Sequence, residues 1–187
     1  TAKNAVSTVA NACPSALISD EKTFGIILGA KELKTLLYSA KKDGFKGTDF
    51  HSRCDNKGPT VTIVRSTKGF VAGGYNPNSW ESTSHGAWSK VTGEAFLFSL
   101  NNQCKWLGPA VGEQYECCNN SAYGPIFGSF YGLHLHTDMS SNSNYSTPGS
   151  FKRIATHTGL AQQDFTNTSL FGSPNFTCKE VEVWSVL

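Results

Sequence analysis

From residue 59 onward the chain is a succession of short β-branched and aromatic runs separated by Gly, Asn, Pro and Ser, and this rhythm restricts the fold more than any other feature. The runs cover residues 60–64, 70–75, 95–100, 126–130, 133–136 and 179–186. Each reads as a strand, because branched and aromatic side chains fit a pleated, half-buried surface. The class implied is mainly β with flanking helices. In the last run Val181, Val183 and Ser185 alternate with Glu182, Trp184 and Val186, which places the closing strand between a core and a partly wet face. Upstream, Leu33, Leu36, Leu37 and Ala40 recur at helical spacing ahead of Lys41, Lys42 and Gly44, a pattern that predicts a helix over residues 30–43. Ala2, Ala5, Val6, Val9 and Ala10, before Cys13 and Pro14, predict a second, short helix within residues 1–12.

A chain of 187 residues builds one good core, so one domain over residues 1–187 is expected, with 1–19 as an extension and 20–187 as the core. No apolar run approaches the roughly 20 residues needed to span a bilayer. Sixteen basic against fourteen acidic residues leave a net charge of +2, too small and dispersed for a nucleic-acid footprint. Lys31, Lys34, Lys41, Lys42 and Lys46 cluster, and their place on the predicted helix reads as a solvated face.

Six cysteines, Cys13, Cys54, Cys104, Cys117, Cys118 and Cys178, lack any Cys-x-x-Cys spacing and read as a disulfide framework. Cys104 with Cys117 or Cys118 is the favoured pair, on the premise that the two segments form a hairpin. The structural alternative is a set of buried free thiols. Asn119, Asn144, Asn167 and Asn175 each begin a glycosylation acceptor pattern, and the chain opens on Thr1 rather than Met. Together these predict a secreted, oxidised glycoprotein.

Several blocks resemble the TLDc domain: Leu36-Leu37-Tyr38-Ser39, Asp43-Gly44-Phe45, the stretch from Phe50-His51-Ser52-Arg53-Cys54 through Asp55-Asn56-Lys57-Gly58-Pro59-Thr60, Gly73-Gly74-Tyr75, Ala95-Phe96-Leu97-Phe98-Ser99-Leu100, Gly124-Pro125-Ile126-Phe127-Gly128 and Glu180-Val181-Glu182-Val183-Trp184. They occur in order, and the match spans residues 20 to 187 nearly continuously. The resemblance implies a two-sheet antiparallel β-sandwich of TLDc type with helices against it. It also implies relatives that are mostly intracellular, tied to oxidative-stress resistance and to regulation of a proton-pumping ATPase. Read without the family, Asn56-Lys57-Gly58-Pro59 is a turn entering a strand, and Gly73-Gly74 marks a bulge or a close backbone approach.

Three polar segments, 76–93, 108–124 and 137–151, are long enough to carry function. No nucleophile elbow, zinc helix, phosphate loop or dinucleotide fingerprint occurs, so a non-enzymatic protein is expected. His51 and Cys54 could pair as base and thiolate, yet a bonded or buried Cys54 accounts for the same residues. His134, His136 and Asp138 alternate along a predicted strand and so share one face, as a transition-metal site requires; a polar strand edge does the same. Asp138, Asn142 and Asn144 offer oxygens for Ca²⁺, or form an ordinary solvated loop. Trp80, Trp88, Trp106, Tyr75, Tyr123 and Tyr131 mix with Asn76, Asn78, Glu81, Ser82, His85 and Asn102, a combination that suits a sugar's apolar face and its hydroxyls. The same rings can equally pin loops to a core. The leading expectation is an extracellular lectin that binds glycans or glycoproteins, assisted by calcium and by avidity in a homodimer. The alternative is a TLDc-type domain that binds a protein partner, acts in oxidative stress or regulates the proton pump.

Overall fold

Asn56 and Gly58, both with positive φ, turn the chain at the predicted turn and deliver Pro59 to a long strand. That strand, β2 (Thr60–Ser66), pairs with β3 (Val71–Asn76) in unbroken register from Thr60↔Asn76 to Arg65↔Val71. The structure is a computed structural model that describes residues 13–83, 88–90, 93–108, 115–128, 132–147, 151, 153–155 and 158–187. The helix predicted within residues 1–12 lies outside these.

The remaining elements are α1 (Glu21–Leu28), β1 (Leu33–Ser39), α2 (Ala40–Asp43), α3 (Gly47–Cys54), β4 (Trp88–Lys90), β5 (Phe96–Ser99), β6 (Cys104–Leu107), β7 (Tyr115–Cys118), β8 (Ile126–Phe127), β9 (Leu133–His134), β10 (Asn144–Tyr145), β11 (Arg153–Ile154), β12 (Asn175–Phe176) and β13 (Cys178–Val186). One antiparallel sheet runs β1-β13-β2-β3-β5-β6-β11, the other β12-β10-β9-β8-β7-β4. The fold is mainly β, two antiparallel sheets with few helices, as predicted. No described helix is long and apolar enough to cross a membrane.

Two apolar layers hold it together. Between the sheets lie Trp80, Leu97, Trp106, Phe127, Leu133, Leu135, Phe151, Val181 and Val183. On the outer face of the seven-stranded sheet, Val61, Ile63, Tyr75, Phe96, Phe98, Trp184 and Val186 pack under Phe24, Ile27 and Leu28 of α1. That second layer corrects the expected wet face of β13: Trp184 and Val186 are buried because α1 and residues 13–18 cover them. Gly73-Gly74 is a close approach and not a bulge, since the register on both sides is regular. A Cβ on Gly74 would sit 2.9 Å from the Phe127 ring, and one on Gly73 would collide with the Thr62 carbonyl.

The predicted helix over 30–43 is a strand for most of its length. Residues Leu33–Ser39 form β1, antiparallel to β13 with two register shifts, and only Ala40–Asp43 is helical. An apolar strand with an open edge gains more from a seven-residue partner than β1 gains from its own helical pattern. Tyr38 anchors the choice: it is buried, packs edge-on to Phe50 at 5.9 Å and donates from its hydroxyl to the Gly44 carbonyl at 2.6 Å. The helices that do form lie on either side. α1 is capped by Asp20, whose carboxylate accepts from the Thr23 N–H at 3.0 Å, and α3 buries Phe50, His51 and Cys54.

All six cysteines are free thiols, which corrects the disulfide framework. Cys104 lies on β6 and Cys117 and Cys118 on β7, in different sheets, so the imagined hairpin does not exist. Cys54, Cys104, Cys117, Cys118 and Cys178 are buried and act as small apolar side chains, and Cys13 is half-buried. Burial pushes the Cys54 and Cys178 thiols far above their usual range. Two acceptor asparagines are corrected as well. Asn119 and Asn144 are buried with their amides engaged, while Asn167 and Asn175 are exposed.

Candidate functional site

Most of the described residues predicted to bind sugar are engaged within the scaffold. Trp80 is fully buried, wedged edge-on against Phe50 and Phe127 at 5.4 Å each, with its indole N–H donated to Thr60 Oγ1 at 2.8 Å. Trp106 is buried likewise, stacked on Phe165 and donating to the Gln163 carbonyl at 2.8 Å. Tyr75 lies on the opposite, outer layer, stacked on Phe96. Asn76 is buried and its Oδ1 accepts from the Asn78 N–H, while Asn78 donates to the Lys90 carbonyl. These two amides build a turn. Trp88 sits half-buried on β4 opposite Cys118, and Glu81 is exposed on the next loop. His85 and Tyr131 lie outside the described residues. Most of these rings and amides serve the scaffold, which sequence periodicity could not separate from a binding surface.

The predicted metal residues are brought only partly together. His134 and His136 do share a face, with rings 5.8 Å apart and nearly parallel. Tyr145, the cross-strand neighbour of His134, packs against it with tilted rings at 4.5 Å, and Tyr123 stands edge-on to both imidazoles at 5.1 Å. Burial first, and the neighbouring His136 second, lower the His134 pKa to about 4, so its ring is neutral at physiological pH. Asp138 does not join them, because β9 ends at His134 and Asp138 lies beyond it in a bridge to Lys46. The Asp138 Oδ1 accepts from the Ser140 N–H at 3.0 Å and hydroxyl at 2.6 Å, which holds its carboxyl below the usual range.

Asn144 is the organiser of this loop rather than an open oxygen ligand. Its Nδ2 donates to the carbonyls of Met139, Ser141 and Phe176 at 2.8, 2.9 and 3.1 Å, and its Oδ1 accepts from the His136 N–H at 2.9 Å. Asn142 is exposed on the lining of a pocket of about 460 Å³, together with Ser66, Lys68, Asn175 and Phe176. Among the described residues no three His, Cys, Asp or Glu side chains are grouped to hold a metal ion.

A polar network that sequence reading missed as a unit joins α3 to two loops. His51 is buried, with Nδ1 facing Asp55 Oδ1 at 2.7 Å and Nε2 facing the Asn120 carbonyl at 3.1 Å. The other Asp55 oxygen accepts from the Ser82 hydroxyl. Asp55 thus sits between serine and histidine, whereas activation of a serine nucleophile needs the imidazole in the middle. Both ring nitrogens are engaged, so His51 is not placed as a base for Cys54. The neighbouring Asn119 ties the same loops through Glu81 N–H, Ser89 Oγ and Thr83. The legible traces of this network were His51, singled out beside Cys54, and Asn119, read as a glycosylation acceptor.

What this geometry defines is a sandwich scaffold whose conspicuous side chains are engaged in its own loops. The chain belongs to the TLDc domain family, whose model matches residues 19–187. It is 25% identical over 159 residues to the MTOR-associated protein MEAK7 of Gallus gallus, a match covering 81% of this chain and 31% of that protein. It is also 41% identical over 46 residues to the MTOR-associated protein MEAK7 of Danio rerio, covering 25% of this chain and 10% of that one. The chain therefore spans about a third of the length of the chicken relative. These relatives overturn the lectin expectation and its glycan partner: they are named for association with a protein, and the buried Trp80, Trp106 and Asn76 are part of the scaffold. The homodimer, argued from the avidity of a sugar site, loses its ground with it.

Proposed function

We propose that this domain is a non-enzymatic regulatory module that binds a protein partner, in the manner suggested by its mTOR-associated relatives. The observation that carries this reading is the extent of the likeness, which runs through 81% of the chain and so through most of the scaffold rather than one motif. A surface suited to the role is the β1 end of the seven-stranded sheet. Among the described residues β1 pairs with β13 alone, Leu36 is 41% exposed, and Lys34, Lys41 and Lys42 stand close by in sequence. An edge of this kind can accept an extended segment of another chain through main-chain hydrogen bonds. Lysines beside it favour an acidic one.

Tagged protein expressed in cells, captured and probed with antibodies to mTOR and to proton-pump subunits, tests the proposal. Recovery of mTOR, reduced several-fold by Leu36→Lys, supports the reading and the surface together. Recovery of the pump alone moves the partner to the one the family resemblance implied, and recovery of neither overturns the proposal.

A further inference from the structure

Among the described residues, no main-chain hydrogen bond joins residues 13–29 to the seven-stranded sheet on which they lie. Three side chains of the sheet supply the polar ties instead. Glu182 of β13 accepts from the Ser15 hydroxyl at 2.6 Å, Arg65 of β2 donates to the Leu17 carbonyl at 3.0 Å, and Lys105 of β6 donates to the Ile27 carbonyl at 2.8 Å. The last of these serves the C-terminal turn of α1, where carbonyls lack helical partners and a cation is favoured, and that turn has no basic residue of its own. The Lys105 ammonium also stands 4.0 Å from the Phe96 ring centroid, so one side chain clasps α1 to the face that α1 covers.

The segment has a sharp boundary. Gly29, with a φ of 66°, ends α1, and the main-chain ladder resumes at Glu32, which exchanges two hydrogen bonds with Leu187. α3 is anchored differently, through its backbone: the Gly47 N–H donates to the Thr137 carbonyl, and Asp55 bridges to Trp80. A segment fastened by side chains and apolar burial alone can open without breaking a ladder. The outer layer it covers contains a row of register partners running across the sheet, Leu36, Trp184, Val61, Tyr75 and Phe96. Leu36, at the β1 end, is 41% exposed, and the other four are buried.

We propose that residues 13–29 are an autoinhibitory strap, which lifts from the sheet as one unit and thereby extends the partner surface at Leu36 along this row. Closed, the strap leaves Leu36 as the row's one exposed member. Open, it adds Trp184 and Val61 beside it. The regulation rests on the reading of β1 as a protein-binding site, whereas the unitary opening of the strap stands without it.

The test is amide hydrogen exchange on the full chain, with each variant read at the end of the strap it does not touch. In the wild type, the amides of Ile18 and of residues 24–29 are expected to exchange at least about 10-fold faster than the centres of β2 and β3. Ser15→Ala, at one end, should speed exchange over residues 24–29 by about 5-fold, and Lys105→Met, at the other, should speed Ile18 by the same factor, with β2 and β3 unchanged. Acceleration confined to the mutated end overturns the proposal, because the two ends then fray separately; so does a strap that exchanges only as fast as β2 and β3. Either variant alone suffices if the other does not fold. In the capture experiment above, Lys105→Met should raise mTOR recovery several-fold, and unchanged recovery overturns the regulatory role. Failure of the wild type to recover mTOR counts against the binding reading instead, and the exchange result then decides the strap by itself.

Discussion

His134 shows what a single residue does when the fold removes its water. Its ordinary pKa near 6.5 falls to about 4 among Tyr123, His136 and Tyr145, because the neutral ring alone suits that surrounding. A base whose folded pKa is depressed favours the unfolded state once that state takes up the proton. Its contribution is fully present above about pH 6.5 and is lost as the pH falls toward about 4, a span worth roughly 3 kcal/mol at most. Urea unfolding followed from pH 7 to pH 4 should show this decline, and His134→Phe should flatten it. An equal decline in that variant would assign the effect to other groups. The pairing of His134 with His136 on one face was legible from their spacing. The role of Asn144 was not, since three of its amide's four hydrogen bonds depend on how its own loop folds back and the fourth on the distant Phe176 carbonyl.

Elements follow from the same physics with different reach. Gly73-Gly74 was readable as a special position in a strand, and its function is to let Phe127 of the facing sheet come close. Gly74→Ala is expected to destabilise by about 1–3 kcal/mol, because the new methyl would lie 2.8 Å from a Leu97 methyl. Gly25→Ala, in the middle of α1 with open space around its Cβ, is expected to stabilise by about 0.5–1 kcal/mol. Denaturation midpoints of the two variants should move in opposite directions; movement in the same direction would contradict the packing described. The segment 30–43 shows where local pattern fails. Its leucines satisfy a helix, yet β13 needed a neighbour, and two register shifts absorb the mismatch.

Over the whole molecule, stability comes from two apolar layers and not from cross-links. Alkylation in denaturant without reductant should therefore modify all six cysteines, and reductant should leave the thermal midpoint unchanged. A pair that resists alkylation would restore the disulfide account. What the sequence by itself determined was the class: strand-length apolar runs, the turn at 56–59, the paired glycines and the ordered blocks that place the chain in the TLDc family. Those features act over a few residues, through propensity and backbone freedom, and so are written locally. Only the tertiary structure decided that Trp80 and Trp106 are core, that Cys104 lies on a different sheet from Cys117 and Cys118, that β1 is a strand and that Lys105 clasps α1. Each depends on which distant segment lies opposite, and burial, pairing and the loss of solvation are properties of that meeting rather than of either segment alone.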